Sequence, residues 1–251
     1  MTSPDNITDF ITWKDSDRLK ALFSLKNSRY NAQRDIAGLN LGYNTKETDE
    51  ITGENRKRWF KTAGADPEKT AWGLQVHKDR VQFVEQPGIY PETDGLVTTK
   101  PGLALGVFVA DCAAVLFVDE ENGVVATAHA GWKGAAANIV GKTVAEMEKA
   151  GAKADCTEVF ISPCISLKNF EVGEEVASQF DEKFVDRSYK KPHVDIRAVV
   201  QSQLVETGIT EDKISMHPDC TMDFPEKYYS YRREQNKSGR LMGVVFLKPA
   251  K

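Results

Sequence analysis

The stretch "ADCAAVLFVDEENGVVATAHAGW", from Ala110 to Trp132, limits what this chain can fold into more than any other. Two apolar, β-rich runs, "AVLFVD" and "VVATA", are separated only by "EENG", which carries an Asn-Gly turn signal. So short a connection makes antiparallel pairing the arrangement with the least loop-closure cost. With Glu120 and Glu121 at the centre of the turn, Cys112 stands opposite His129 on one face, with Cβ atoms roughly 4.5 to 5.5 Å apart. With Asn122 and Gly123 at the centre, the pair slips by about two positions along the ladder and keeps its facing parity. Such a Cys and His can also be plain core and strand-end residues.

A third candidate, His77, ends the strand-like "WGLQVH" and could reach the same cluster. Two histidines and one cysteine without a local fourth ligand suit a catalytic zinc, whose remaining position holds water or substrate. Such an ion lowers the pKa of its water to about 7 and polarises a bound oxygen. Directly after His129, "AGWKG" leads into a helix. Gly131 and Gly134 permit close backbone approach, the first helical turn offers free N–H groups, and Lys133 adds a point charge for an anion. The competing reading is a plain strand-to-helix turn with a solvated lysine.

The hairpin sits in a chain of 251 residues, a length that favours one large α/β domain over residues 1–251. With 41% hydrophobic and 28% charged residues the chain is ordinary for a globular protein and can bury a sizeable core. A formal net charge of -4 gives no field that would draw a nucleic acid or an anionic membrane. The opening "MTSPDNITDFITWKDSD" lacks the basic and apolar stretches of a secretory signal, and no apolar run is long enough to span a bilayer. The expected location is the cytoplasm, where Cys112, Cys156, Cys164 and Cys220 stay reduced.

Elsewhere, "ENRKRWFKTAGAD" reads as a helix ending at Gly64, and "RVQFVE", "ALGVFVA" and "EVFIS" as strands. "GAAANIVGKTVAEMEKAG" places Ala136, Ile139, Val140, Val144 and Met147 at helical spacing, with Gly151 as a stop. "GEEVASQFDEKF" and "IRAVVQSQLVETG" predict two further helices, and "LMGVVFLK" a closing strand. Strands before, between and after helices predict mixed sheets covered by helices. "YYSYRR" reads as a strand with Ser230 and Arg232 on one face, and Arg232 is the candidate substrate or phosphate contact, against a structural salt bridge. Asp111 alternates away from Cys112 unless the chain bends there. His217 and Cys220 in "HPDC" lack a second pair for a metal, His193 reads as a surface residue, and Cys156 and Cys164 as buried thiols, with Cys164 a possible pocket residue.

Several of these segments resemble the laccase-domain family, the YfiH-like proteins once labelled polyphenol oxidases and now regarded as zinc-dependent purine nucleoside phosphorylases. "GLNLGYNT", with Asn40, and "ENRKRW" resemble its early asparagine elements, "QVH" its Q-x-H-G, "VADCAAVLF" its A-D-C-x-P and "AHAGWKG" its H-A-G-W-R-G. "ISPCISLKNFEVGEEV" is similar to G-P-C-I followed by Y-E-V-G, and "YYSYRREQNKSGRLMG" to F-S-Y-R-R with a later G-R. The resemblance implies a four-layer α/β/β/α sandwich, a zinc ion on His77, Cys112 and His129, and a pocket for a purine nucleoside and inorganic phosphate. It also implies substrate or phosphate contacts from Asn40, Lys133 and Arg232. Lys78, Ala114, Lys133 and Ser162 depart from the family's glycine, proline, arginine and glycine. None of these removes a ligand, but lysine at 133 gives up a planar bidentate fork.

The leading expectation is phosphorolysis of adenosine- or inosine-type nucleosides to base and ribose 1-phosphate, with adenosine deaminase and methylthioadenosine phosphorylase activity as companions. Four histidines are too few for a multicopper oxidase, since blue copper alone takes two histidines and a cysteine. A mononuclear copper oxidase of phenols stays open, because copper outcompetes zinc for such ligands in vitro. A metal-free hydrolase with Cys112 as nucleophile and His129 as base is a second enzyme class. A structural zinc or partner-binding module is the non-enzymatic reading.

Overall fold

The computed structural model describes Ile7 and residues 9–249, so part of the segment read for a secretory signal lies outside the described residues. Two six-stranded mixed sheets carry the fold. The first runs β1 (Phe10–Asp15), β2 (Leu19–Ser24), β14 (Leu241–Leu247), β7 (Ala104–Val109), β3 (Thr70–Gly73), β5 (Gly88–Tyr90). The second runs β13 (Ile214–Met216), β10 (Glu158–Ile161), β8 (Ala113–Asp119), β9 (Val124–Ala130), β6 (Gly95–Thr98), β4 (Val81–Phe83). A short pair, β11 (Val185–Asp186) and β12 (His193–Val194), stands apart. The helices are α1 (Asp49–Ala63), α2 (Trp132–Ala136), α3 (Ile139–Lys149), α4 (Glu174–Ala177), α5 (Ile196–Glu206) and α6 (Tyr231–Glu234). None is long and apolar enough to cross a membrane.

Every residue of β8 and β9 is buried, which is why these strands read as unbroken apolar runs. Ala114, Leu116 and Val118 of β8 meet Leu105, Val107 and Val245 of the first sheet, closing an inter-sheet core. The alternate set, Ala113, Val115 and Phe117, packs against Val140, Val144 and Met147 of α3 and Val200 of α5. On the far side of the first sheet, Trp59 and Phe60 of α1 cover Leu22, Met242 and Val244. The mixed α/β class expected from the sequence is thus the one observed, and α1 stops at Ala63 with Gly64 in the left-handed region.

Three local expectations are corrected. The long helix after Trp132 breaks at Asn138, which turns left-handed (φ 55°) and accepts the Gly141 N–H, so two helices form where one was predicted. The break turns the Trp132 end independently while Ile139, Val140, Val144 and Met147 keep facing the core. "GEEVASQFDEKF" yields only the four residues of α4, because Asp181 caps a separate tight turn over Glu182–Phe184. "YYSYRR" is no strand: the Ser230 side chain accepts from the Arg233 N–H and starts α6. "LMGVVFLK" forms the closing strand as expected, and it lies inside the first sheet between β2 and β7.

Candidate metal and substrate site

The hairpin forms, in a register midway between the two that the sequence allows. Ala114 opposes His129, so Cys112, two residues earlier, sits diagonal to it rather than directly opposite. The reason lies in the turn: Asp119 accepts the Asn122 N–H at 2.9 Å and its side-chain amide at 2.8 Å, which sets a four-residue connection. Facing parity survives the slip, because the shift is even. Just before the strand the chain bends at Asp111, whose φ is 80°. That bend is the one an inward-facing Asp111 needs.

"WGLQVH" leaves its strand at Gly73 rather than running to the histidine. The Gln75 side chain then stands in for backbone, donating to the Phe108 carbonyl and accepting the Phe108 N–H, both at 2.8 Å. His77 follows in a left-handed conformation, φ 59°. Its loop is held by one carboxylate: Asp94 accepts the N–H groups of Val76 at 3.0 Å, His77 at 2.9 Å and Lys78 at 3.1 Å. The same Asp94 bonds His129 Nδ1 at 2.8 Å, and its carbonyl accepts the His129 N–H at 2.7 Å. One donor atom each from His77, Cys112 and His129 lies within 4.8 Å of the other two. Side chain after side chain, Asp94 aims the cluster.

The donor set fits a divalent ion: two imidazoles and a thiol, with a carboxylate fixing one imidazole's tautomer from behind. Burial works against charge on Cys112, yet His129 and a hydrogen bond from His77 outweigh it and bring the thiol down to about 6. Burial likewise opposes the His129 imidazolium, but the Cys112 charge and Asp94 push it up to about 9. Gly131 closes the cluster from above, since a Cβ there would lie 3.0 Å from Cys112 Sγ and 3.3 Å from His77 Cδ2.

The cluster floors a cavity of about 1030 Å³ between the sheets' ends, the loops before α1 and α4, and α6. Trp72, Phe108 and Tyr43 form an aromatic wall around Arg56, whose guanidinium lies 3.9 Å from the Tyr43 ring centre and 4.3 Å from that of Phe108. Arg56 donates to the Leu41 carbonyl at 2.7 Å, and its Nη1 is buried without a partner. Arg232 reaches the cavity as expected, with its guanidinium over the Phe170 ring and Nη1 on the Glu171 carbonyl at 2.9 Å.

Two expected contacts lie elsewhere. Lys133 is exposed, its ammonium rests over the Trp132 ring, and it does not line the cavity. Asn40 is wholly buried behind the wall, where its amide serves Gly42, Thr45, Glu47 and the Arg240 N–H. His193 is buried in β12 and stacks on Tyr189 rather than lying on the surface. Cys156 is only half-buried, beside Glu121, whereas Cys164 is buried, outside the cavity, and pushed up to about 11 by burial. His217 and Cys220 form no metal cluster among the described residues.

Sequence reading missed Asp94, Arg56 and Arg240 as site residues. An aspartate before a glycine reads as a turn residue. Only the pairing of β6 with β9 carries Asp94 to His129, and no spacing announces it.

Comparison with known proteins gives the chain's relatives. The chain is 36% identical over 224 residues to a purine nucleoside phosphorylase of Corynebacterium glutamicum, covering 86% of this chain and 89% of that protein. It is 34% identical over 215 residues to a purine nucleoside phosphorylase of Deinococcus radiodurans, covering 84% and 83%. Among solved structures, the hypothetical protein YfiH of Bacillus licheniformis superposes with a TM-score of 0.86 at 26% identity, over 92% of this chain and 93% of that one. The family described as multi-copper polyphenol oxidoreductase laccase matches residues 20–248. On that coverage, with the cysteine and both histidines in one cluster, the chain belongs to this family.

Proposed function

We propose that the protein is a metal-dependent purine nucleoside phosphorylase that binds zinc through His77, Cys112 and His129. The observation that carries the reading is the convergence of these three side chains at the floor of a cavity large enough for a nucleoside and an oxyanion. The relatives named purine nucleoside phosphorylase support the substrate class. Adenosine deamination and cleavage of methylthioadenosine belong to the same proposal.

A zinc ion bound there supplies a Lewis acid with an open coordination position. The chain's own residues do the rest. Asp94 keeps the Nδ1 of His129 occupied, so that Nε2 would be the nitrogen left to hold an ion, and fixes the His77 loop. The Trp72 and Phe108 rings offer flat apolar surface to a purine base. Guanidinium groups supply countercharge for phosphate, and the enclosing walls limit water. The protein acts in the cytoplasm, as a single domain, on small molecules.

The lowered Cys112 thiol also suits a metal-free thiol hydrolase with His129 as base. One experiment separates the two: metal content of protein purified without added metal, followed by release of base from adenosine and inosine with and without phosphate. Phosphorolysis predicts stoichiometric metal, phosphate-dependent base release, and loss of both metal and activity in Cys112→Ala. Full activity in Cys112→Ala would sink the site, and metal-free hydrolysis of esters or amides would establish the thiol enzyme instead.

A further inference from the structure

We infer that Arg240 forms the oxyanion subsite of this cavity, whose lining also includes Arg232, and takes inorganic phosphate. The identity of the anion rests on the phosphorolysis reading, whereas its place rests on the side chains themselves.

Arg240 lines the cavity, half-buried, and its backbone N–H donates to Asn40 Oδ1 at 2.9 Å. Its Nη1 donates to the carbonyls of Ser238 and Gly239, each at 2.9 Å. Its guanidinium rests 5.7 Å from the centre of the Tyr231 ring, so an aromatic face supports it and its other N–H edge is left for a ligand. The stem reaches this position along Gly42: a Cβ there would stand 2.4 Å from Arg240 Cγ.

Among the described residues no carboxylate oxygen comes within 4.0 Å of the Arg240 or Arg232 guanidinium. Other arginines behave differently: Arg187 grips Glu174 and Glu182, and Arg233 pairs with Glu234. The acids nearest to the cavity arginines are already engaged. Asp111 accepts the Thr221 hydroxyl at 2.6 Å, the Ser230 hydroxyl at 3.0 Å and the Arg232 N–H at 2.6 Å. Glu171 pairs with Lys191 at 2.8 Å, and Asp49 acts on Arg56 at the other end of the wall. A half-buried guanidinium without a counter-ion is costly, and a ligand that brings the charge removes that cost. Arg240 lines the same cavity as Cys112 and lies within electrostatic reach of it and of Asp111, neither of which touches the guanidinium. The forked guanidinium of Arg240 suits two of the tetrahedral oxygens of phosphate, a role that Lys133, outside the cavity, does not reach.

The test is titration of inorganic phosphate into the metal-loaded protein, followed by calorimetry and by the fluorescence of Trp72 and Trp132, which line the cavity. Wild type should bind phosphate saturably. Arg240→Gln should weaken binding by about tenfold or more and raise the phosphate KM equally, with the nucleoside KM within about twofold. Arg240→Lys, which keeps the charge and most of the stem, should lose a smaller factor of about three to ten. Gly42→Ala should weaken phosphate in the same direction by displacing the stem, and metal content should stay stoichiometric in all three. Unchanged phosphate affinity in folded Arg240→Gln, or in Arg240→Lys where the first variant does not fold, overturns the subsite. So does wild-type protein without saturable phosphate binding. If phosphate binds through Arg240 but no nucleoside is split, the subsite stands and phosphorolysis fails. If nucleosides are split with phosphate while the Arg240 variants keep wild-type affinity, the reverse holds.

Discussion

Two groups of side chains line one cavity: His77, Cys112 and His129, the metal end, are aimed by Asp94, whereas the backbones of Arg232 and Arg240, the arginine end, are held by Asp111 and Asn40. In both places a buried oxygen takes hold of backbone N–H or ring nitrogen and leaves the reactive edge of the side chain free. The difference is in how charge is balanced. The metal end carries its own countercharges, an aspartate against an imidazole against a thiol, whereas the arginine end waits for a ligand to supply them. A site of this kind is set in place before either ligand arrives, and its supporting residues matter almost as much as its contacts.

Asp94→Asn is the sharpest way to break the comparison at the metal end. It leaves the side chain's shape but weakens its hold on His129 Nδ1, and metal affinity should fall about 10- to 100-fold in competition with a chelator. Phosphate affinity at Arg240, measured in metal-saturated protein, should hardly move. At the arginine end, Asn40→Ala strands the Gly42 and Arg240 N–H groups in a buried setting. Urea unfolding should show a loss of about 3 kcal/mol, with metal content retained.

A smaller effect separates two cysteines. In metal-stripped protein the Cys112 thiolate forms as pH rises through about 6, so alkylation should accelerate up to that pH and level off above it. Cys164, pushed up to about 11 and buried, should stay unlabelled across the same range by mass spectrometry of the digested protein. If Cys112 labels with the profile of a free thiol near about 8.5, the imidazoles are not acting on it. Smallest of all, Lys133→Ala should leave the phosphate KM within about twofold and stability within about 0.5 kcal/mol, because that ammonium lies over Trp132 and outside the cavity.

Much of the metal end was legible because its residues are unusual types placed at strand ends. Cys112 and His129 flank a hairpin whose parity survives an error in register, and a two-residue slip therefore did no damage. His77 was legible as a residue but not as a conformation, since its strand stops at Gly73 and Asp94 pulls the following loop into a left-handed turn. The arginine end was hidden for a different reason. Arg240 was visible only as the arginine of a family-like G-R with no role attached to it, and Asn40 is 200 positions away from the N–H it holds. Lys133 was read as a point charge at a helix start and Asn40 from motif likeness; the Lys133 ammonium lies over Trp132 outside the cavity lining, and the Asn40 amide is saturated by neighbouring groups.

Two of the chain's departures from the family pattern touch one another. The Ala114 amide donates to Ser162 Oγ at 3.0 Å, and that hydroxyl donates to the Pro163 carbonyl at 3.0 Å. A proline at 114 has no hydrogen to give, and a glycine at 162 has no oxygen to receive one. Serine introduced first is harmless, as its hydroxyl still finds a carbonyl; alanine introduced first orphans a buried amide at a cost of about 1 to 3 kcal/mol. Removing the serine alone is therefore costly, whereas a proline at 114 with the serine kept strands no hydrogen-bonding group.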